Sequence, residues 1–252
     1  MSTALKVSVV IPVLNEEDTI AAVVRAVAAD RPHEILVIDA DSTDNSAARA
    51  SEAGARVLNW RAILPTVTPR PGKGESLWRG TIAATGDIVC FIDGDLTAPP
   101  TDMVDRLSAP LIDDTIYLVK ARYQRTLGGQ PSGGGRVTEL TARPLLALFF
   151  PELGDIAQPL AGEYAIRRSA ALELPFVGDY GVEAGLLIDT CRRYGRQAIA
   201  EVDLPPRQHR NRPLDELAPM ARTVAATIAQ RAGKLESEHP HFPGERRAPG
   251  TV

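Results

Sequence analysis

Between Val7 and Asp93, short uninterrupted apolar runs alternate with stretches of helical periodicity, and this alternation restricts the fold more than any other feature. Val7 to Val13, Glu34 to Asp39 and Asp87 to Asp93 read as strands without a polar face, with Arg56 to Leu58 a short fourth. Glu17 to Ala29, Asn45 to Ala53 and Gly74 to Ala84 read as helices between them. A strand that is apolar on both sides is covered on both sides. The pattern therefore predicts an α/β fold with a mostly parallel, Rossmann-like sheet flanked by helices.

Past Pro99 the alternation loosens into a mixed α+β pattern. Helices are predicted over Thr101 to Ile112, Thr138 to Phe149, Gly181 to Tyr194 and Leu214 to Arg231, with strands over Thr115 to Ala121 and near Gln197 to Val202. Gly128 to Gly135 holds five glycines in eight residues, a loop that needs unusual dihedrals or close backbone approach. In the last helix Leu214, Leu217, Ala221, Val224 and Ile228 form a narrow seam for another helix. It suits packing on its own domain or on a second copy. The division expected is a first half over 1–98, a second half over 99–235 and a polar, proline-rich, mobile tail over 236–252.

Composition removes several function classes. The 252 residues carry 28 Lys and Arg against 32 Asp and Glu, a net charge of −4, so no basic field drives nucleic-acid binding. Cys90 and Cys191 lie in apolar contexts and are too few for a disulfide framework or a zinc site; they read as core. Pro144 to Phe150 is the longest apolar stretch, far short of a membrane span, and Met1 to Val7 does not read as a signal peptide. The expectation is a cytoplasmic protein without a membrane partner.

Open α/β sheets bind ligands beyond the carboxyl ends of their strands. Three strands deliver polar residues there: Pro12 to Glu17, Asp39 to Asp44, and Asp93-Gly94-Asp95. No Gly-x-Gly-x-x-Gly or Walker loop follows a strand, which disfavours a dinucleotide oxidoreductase and a P-loop ATPase. Asp93 and Asp95 flank a glycine just past an apolar run and suit a divalent cation shared with substrate phosphates, although Asp and Gly also make ordinary capped turns. Lys73, between Gly72 and Gly74, is a flexible cation for a diphosphate oxygen or simply a solvated turn lysine. Arg136, after three glycines and beside Thr138 at a helix start, suits an anion. His209 to Arg212 form a polar loop between prolines, and a loop histidine alone is usually polar surface. Glu163 and Glu183, beside glycines and apolar residues, read as functional carboxylates or as partners of an arginine.

Taken together, Val9 to Glu17 followed by Asp-x-Asp resembles the GT-A nucleotide-sugar glycosyltransferases. Pro71 to Trp78, Gly133 to Leu140, Gln158 to Tyr164, Tyr180 to Glu183 and His209 to Leu214 resemble, more narrowly, the glucosyl-3-phosphoglycerate synthase family, over nearly the whole chain. The resemblance implies a GT-A fold and a retaining, Mg²⁺- or Mn²⁺-dependent transfer of glucose from UDP-glucose to 3-phosphoglycerate, commonly by a homodimer. It implies that Pro12, Leu14, Asn15 and Glu16 hold the uridine with Ser42 near the ribose or base, and that Lys73, Asp93 and Gly94 contact the UDP-sugar. Asp93 and Asp95 would bind the metal with His209 as a further ligand. Gly135, Arg136, Thr138, Asn211 and Arg212 would grip 3-phosphoglycerate. Glu183 would sit near the sugar hydroxyls, and the Leu160 carbonyl near the attacking hydroxyl.

The chain departs from the family in carrying Asp-Gly-Asp for Asp-Ser-Asp and in starting almost directly at the first strand, which bears on quaternary structure more than on chemistry. Mannosyl transfer from GDP-mannose to the same acceptor, transfer to a polyprenyl phosphate, and a non-catalytic nucleotide-sugar-binding regulator share parts of the pattern.

Overall fold

The computed structural model describes residues 5–127, 130–131, 135–208, 214–238 and 244–250. In the first half β1 (Val7–Val13), β2 (Glu34–Asp39), β3 (Arg56–Asn59) and β4 (Ile88–Phe91) run parallel, joined through α1 (Ile20–Ala29), α2 (Ser46–Glu52), α3 (Trp60–Ile63) and α4 (Lys73–Ala83). Period two sends Val9, Ile11 and Val13 into one apolar cluster and Val10 into the other. Ile20, Val23, Val24 and Val27 of α1 cover the first cluster; Leu77 and Trp78 of α4 cover the second.

Two of the boundaries that differ from the expected ones lie beside the sheet's carboxyl edge and have local reasons. The first helix starts at Ile20 rather than Glu17, because the chain turns first: Thr19 and Ile20 both donate their N–H to the Glu16 carbonyl. The strand expected over Asp87 to Asp93 spans only Ile88–Phe91, so Asp93 lies past its end, next to the Gly94-Asp95 turn.

In the second half α5 (Met103–Ser108) passes into a 3₁₀ turn at Ala109–Ile112, where Pro110 has no N–H to continue the α-helix. Then follow β5 (Leu118–Arg122), β6 (Arg125–Leu127), β7 (Gln130–Pro131), a π-helical turn over Thr138–Ala142 and α6 (Arg143–Phe149). Pro144 cannot donate to the fourth residue back, which favours the wider turn before it. The chain continues through β8 (Tyr164–Arg167), α7 (Arg168–Glu173), β9 (Phe176–Val177), α8 (Val182–Tyr194), β10 (Ile199–Asp203), β11 (Arg207–Gln208), α9 (Leu214–Arg231) and β12 (Glu245–Arg246).

One sheet spans both halves, in the order β10-β5-β8-β4-β1-β2-β3. Only β8 runs antiparallel to its neighbours in that sheet, β4 and β5. The expected α/β architecture is present.

The seam of α9 packs on its own domain: Val224 and Ile228 are fully buried in the core, and Leu217 and Ala221 lie against it. Both cysteines are buried, and no helix among the described residues is long and apolar enough to cross a membrane. Within the tail expected to be mobile, the described residues Glu245 and Arg246 are anchored. Glu245–Arg246 pairs antiparallel with Phe176–Val177, and Arg231 binds Glu245. Arg246 reaches the Glu75 carboxylate (2.7 Å) and the Thr68 carbonyl (2.8 Å) and lies over the Trp78 ring.

Candidate active site

With β2 on one flank of β1 and β4 on the other, strand order reverses between β1 and β4. Such switch points leave a crevice at the carboxyl ends of the strands. Here a cavity of about 950 Å³ opens.

Its first wall is the turn after β1, laced to the turn after β2. Asn15 takes a left-handed φ of 57°, which Asn tolerates better than most residues. The Asn15 N–H donates to Ser42 Oγ (3.0 Å), and Asn15 Oδ1 accepts from the Thr43 N–H (2.8 Å). Glu16 N–H donates to Ser46 Oγ (2.7 Å). Pro12, Leu14 and Glu16 line the cavity, whereas Asn15 and Ser42 face each other and do not.

Asp93, Gly94 and Asp95 line the floor. Thr19 holds this turn from below, its hydroxyl donating to the Gly94 carbonyl at 2.8 Å. A Cβ on Gly94 would stand 3.0 Å from the Pro12 carbonyl, so the turn packs closely on β1.

Lys73, at the first turn of α4, is no flexible cation. Its Nζ lies 2.6 Å from Asp93 Oδ1 and 2.7 Å from Glu183 Oε1, with 17% of the side chain exposed. Burial alone would lower its pKa, but the charges of Asp93 and Glu183 outweigh it and hold Lys73 well above the usual lysine range. Glu183 is 5% exposed in the first turn of α8, an end that favours a carboxylate.

The two glycines beside Lys73 serve packing: a Cβ on Gly72 would stand 2.6 Å from Asp179 Cα, and one on Gly74 would stand 2.0 Å from the Val177 carbonyl. Thus the two glycines admit the β9 turn, while Gly72 and Lys73 also line the cavity.

The far wall comes from Gly135, Arg136 and Thr138 at the start of the π-helical turn, and from Leu160 and Gly162 before β8. Met220 and Val224 of α9 add an apolar side. His209, Asn211 and Arg212 lie outside the described residues; Pro206 before them and Leu217 after them line the cavity.

No cluster of three His, Cys, Asp or Glu is placed to hold a metal among the described residues. Asp93 and Asp95 offer hard oxygen donors that fit Mg²⁺ or Mn²⁺, which complete their shells with substrate phosphate and water.

Residues 8–169 match the family model described as glycosyl transferase family 2. Over 242 residues the chain is 49% identical to the glucosyl-3-phosphoglycerate synthase of Mycolicibacterium smegmatis, covering 92% of this chain and 79% of that protein. This chain belongs to the glucosyl-3-phosphoglycerate synthase family. The Petrotoga mobilis glucosyl-3-phosphoglycerate synthase is 42% identical over 246 residues, covering 92% of this chain and 76% of its own. A crystal structure of the Mycobacterium tuberculosis glucosyl-3-phosphoglycerate synthase in complex with Mn²⁺, UDP-glucose and phosphoglyceric acid matches at a TM-score of 0.88 and 46% identity, over 97% of this chain and 90% of that one.

Within this synthase-family site several lining residues escape sequence reasoning. Asp179 has a left-handed φ of 64° and a half-buried carboxyl that burial pushes up, against the lowering pull of a Tyr180 backbone hydrogen bond. Only its neighbour Tyr180-Gly181 carried a signal. Val224 reads as helix seam, which it also is, and Met220 carries no signal; nothing in their spacing marks a cavity wall.

Proposed function

We propose that this chain transfers glucose from UDP-glucose to the 2-hydroxyl of 3-phosphoglycerate, with retention at the anomeric carbon and with a divalent metal. The observation that carries the reading is one cavity lined by Lys73, Asp93, Asp95, Arg136, Thr138 and Glu183, in a chain about half identical to glucosyl-3-phosphoglycerate synthases across nearly its whole length. In the transfer, the bond from the anomeric carbon to the diphosphate oxygen breaks and one to the acceptor oxygen forms. UDP leaves with the electron pair, and the hydroxyl proton passes to the departing diphosphate or to water.

Each residue has a role in this reading. Residues 1–98 form the nucleotide-sugar half: Pro12, Leu14 and Glu16 hold the uridine, while Asn15 and Ser42 keep the two turns together beneath it. Asp93 and Asp95, with His209 as a third ligand, hold Mg²⁺ or Mn²⁺. A metal bound there offsets the charge of the departing diphosphate. Lys73 is oriented by Asp93 and Glu183 along the nucleotide side, and Glu183 faces the sugar hydroxyls. In residues 99–235 Gly135, Arg136, Thr138, Asn211 and Arg212 take the phosphate and carboxylate of the acceptor. The Leu160 carbonyl lies beside the attacking hydroxyl. The resemblance also implies a cytoplasmic homodimer without a nucleic-acid or membrane partner.

The test is a panel of UDP- and GDP-sugars, UDP-glucose and GDP-mannose included, with purified protein, Mn²⁺ and 3-phosphoglycerate, read as nucleotide release. UDP release that depends on both UDP-glucose and 3-phosphoglycerate is expected. GDP-mannose outperforming UDP-glucose would replace the donor.

A further inference from the structure

Lys120 is a buried cation that none of the roles above uses. It lies on β5, 1% exposed, in register with Tyr164 of β8. Its Nζ donates to the Ala161 carbonyl at 2.8 Å and lies 4.4 Å from the Tyr164 ring centroid. An ammonium with so little water is expensive to bury and survives only where opposite charge or hydrogen bonding offsets its lost hydration. Burial pulls Lys120 down to about 8 and Lys73 adds to the drop, while Glu183, Glu163 and Asp93 raise it.

Ala161 sits in the middle of the cavity wall. Leu160, Gly162 and Glu163 on either side of it line the cavity. The segment is gripped from both directions. From β5, Lys120 takes the Ala161 carbonyl, and the Ala121 N–H donates to the Glu163 carbonyl at 3.1 Å. From the segment after β4, the Asp93 carboxylate presses on Gly162 so closely that a Cβ there would stand 2.1 Å from Asp93 Oδ2. Lys120 therefore fixes how far the wall stands from Asp93.

We propose that Lys120 is a positioning residue for glucosyl transfer, clamping the Leu160–Glu163 wall against Asp93 so that the acceptor hydroxyl is held over the anomeric carbon. This rests on the transfer reading given above. Without the clamp the donor still binds and its sugar bond still breaks, but water competes with the acceptor for the glucosyl group.

The experiment measures two products of the same enzyme sample, glucosyl-3-phosphoglycerate and free glucose, from UDP-glucose with Mn²⁺ and 3-phosphoglycerate. Their ratio is independent of how much enzyme is folded, so a merely structural role would leave it unchanged. Lys120→Met keeps the length and removes the donor. It is expected to lower kcat for transfer by up to about 100-fold, the scale of a misplaced reactant. Its ratio of transfer to hydrolysis should fall at least about tenfold, with UDP affinity by calorimetry within about twofold of wild type.

Lys120→Gln, which retains a donor for the Ala161 carbonyl, should restore most of the ratio. Gly162→Ala leaves Lys120 in place and pushes the same segment, so it should lower the ratio as Lys120→Met does. An unchanged ratio in Lys120→Met overturns the proposal. If that variant does not fold, an unchanged ratio in Gly162→Ala, or a collapsed ratio in Lys120→Gln, overturns it instead. Wild-type enzyme that releases no extra UDP on addition of 3-phosphoglycerate would refute the transfer reading itself, whatever the variants do.

Discussion

On the side of the cavity proposed for the donor the lining residues sit at or just past strand ends, Pro12, Val13, Leu14 and Glu16 at β1 and Asp93 to Asp95 at β4, and neighbouring turns hold them through contacts such as Asn15 with Ser42. On the side proposed for the acceptor Arg136 starts a helical turn and Leu160 precedes β8, and the wall is held across the sequence, Lys120 to Ala161. The donor edge is thus a product of local turn chemistry on a regular sheet. The acceptor wall is a product of long-range packing around an antiparallel strand. The first kind of construction shows in short motifs; the second shows only when distant segments meet.

If the two sides are separable, damage to each should appear in a different kinetic constant. The largest effect is expected on the donor side. Asp95→Ala should lower kcat/KM by on the order of 1,000-fold, several kcal/mol of lost charge stabilisation at the leaving diphosphate. Chelation of the wild type should mimic it, and Mn²⁺ should rescue the wild type alone. Near-normal turnover of Asp95→Ala at saturating Mn²⁺ would break the assignment.

Next comes Arg136→Ala. A lost charge-assisted phosphate contact costs about 1.5–3 kcal/mol, so KM for 3-phosphoglycerate should rise tenfold or more while UDP affinity stays unchanged. Impaired UDP binding with normal acceptor affinity would reverse the two sides.

The same contrast explains what the sequence disclosed. Strands such as Val7–Val13 and Glu34–Asp39 were legible because both faces are apolar, and the Asp93-Gly94-Asp95 turn because it follows such a run. Strand β8 was not legible: Tyr164–Arg167 is four residues ending in an arginine, and its pairing is supplied by β4 and β5. Lys73 was recognised as a site residue, but its partners were not, since Glu183 lies more than a hundred positions away. Gly72 and Gly74 suggested a ligand-facing loop; their need for space comes from Val177 and Asp179, which no local pattern announces. Lys120 gave no signal at all, because a lysine inside a short strand reads as an edge or solvent-facing position.

The tail sharpens the comparison, because it belongs to the far end of the chain yet grips the donor side. Glu75 is 1% exposed and receives both Arg79 at 2.8 Å and Arg246 at 2.7 Å. Arg79 also donates to the carbonyls of Trp60, Leu64 and Val67, so the loop leading to Lys73 is held by two arginines that share one carboxylate. Arg246→Ala leaves Glu75 with Arg79, so the expected loss is about 1–2 kcal/mol rather than that of a stranded buried charge. Urea denaturation should show a lower midpoint with an unchanged slope, and KM for 3-phosphoglycerate should not move. A midpoint equal to that of wild type would mean that the strap contributes nothing to the fold.

The smallest effect belongs to the outermost part of the donor side. Asp41, in a left-handed turn after β2, accepts from Arg61 Nε (2.7 Å) and Asn59 Nδ2 (2.9 Å). Those hydrogen bonds, Arg61 first, draw its carboxyl down to about 2. The folded value lies below the unfolded one, so the contribution to stability is present above the ordinary carboxylate pKa. It is lost as pH falls from about 4 toward 2. Both side chains are well exposed, which keeps the pair within the small range of surface ion pairs and makes it salt-sensitive. Arg61→Ala is therefore expected to lower Tm slightly at pH 6, with the gap from wild type narrowing as pH falls from about 4 toward 2 and shrinking in 0.5 M NaCl. Kinetic constants for both substrates should stay within error of wild type, since neither side chain lines the cavity. A gap that persists undiminished at pH 2 would assign the effect to the Arg61 stem packing on the turn, and a change in KM for UDP-glucose would extend the proposed donor site outward to this turn.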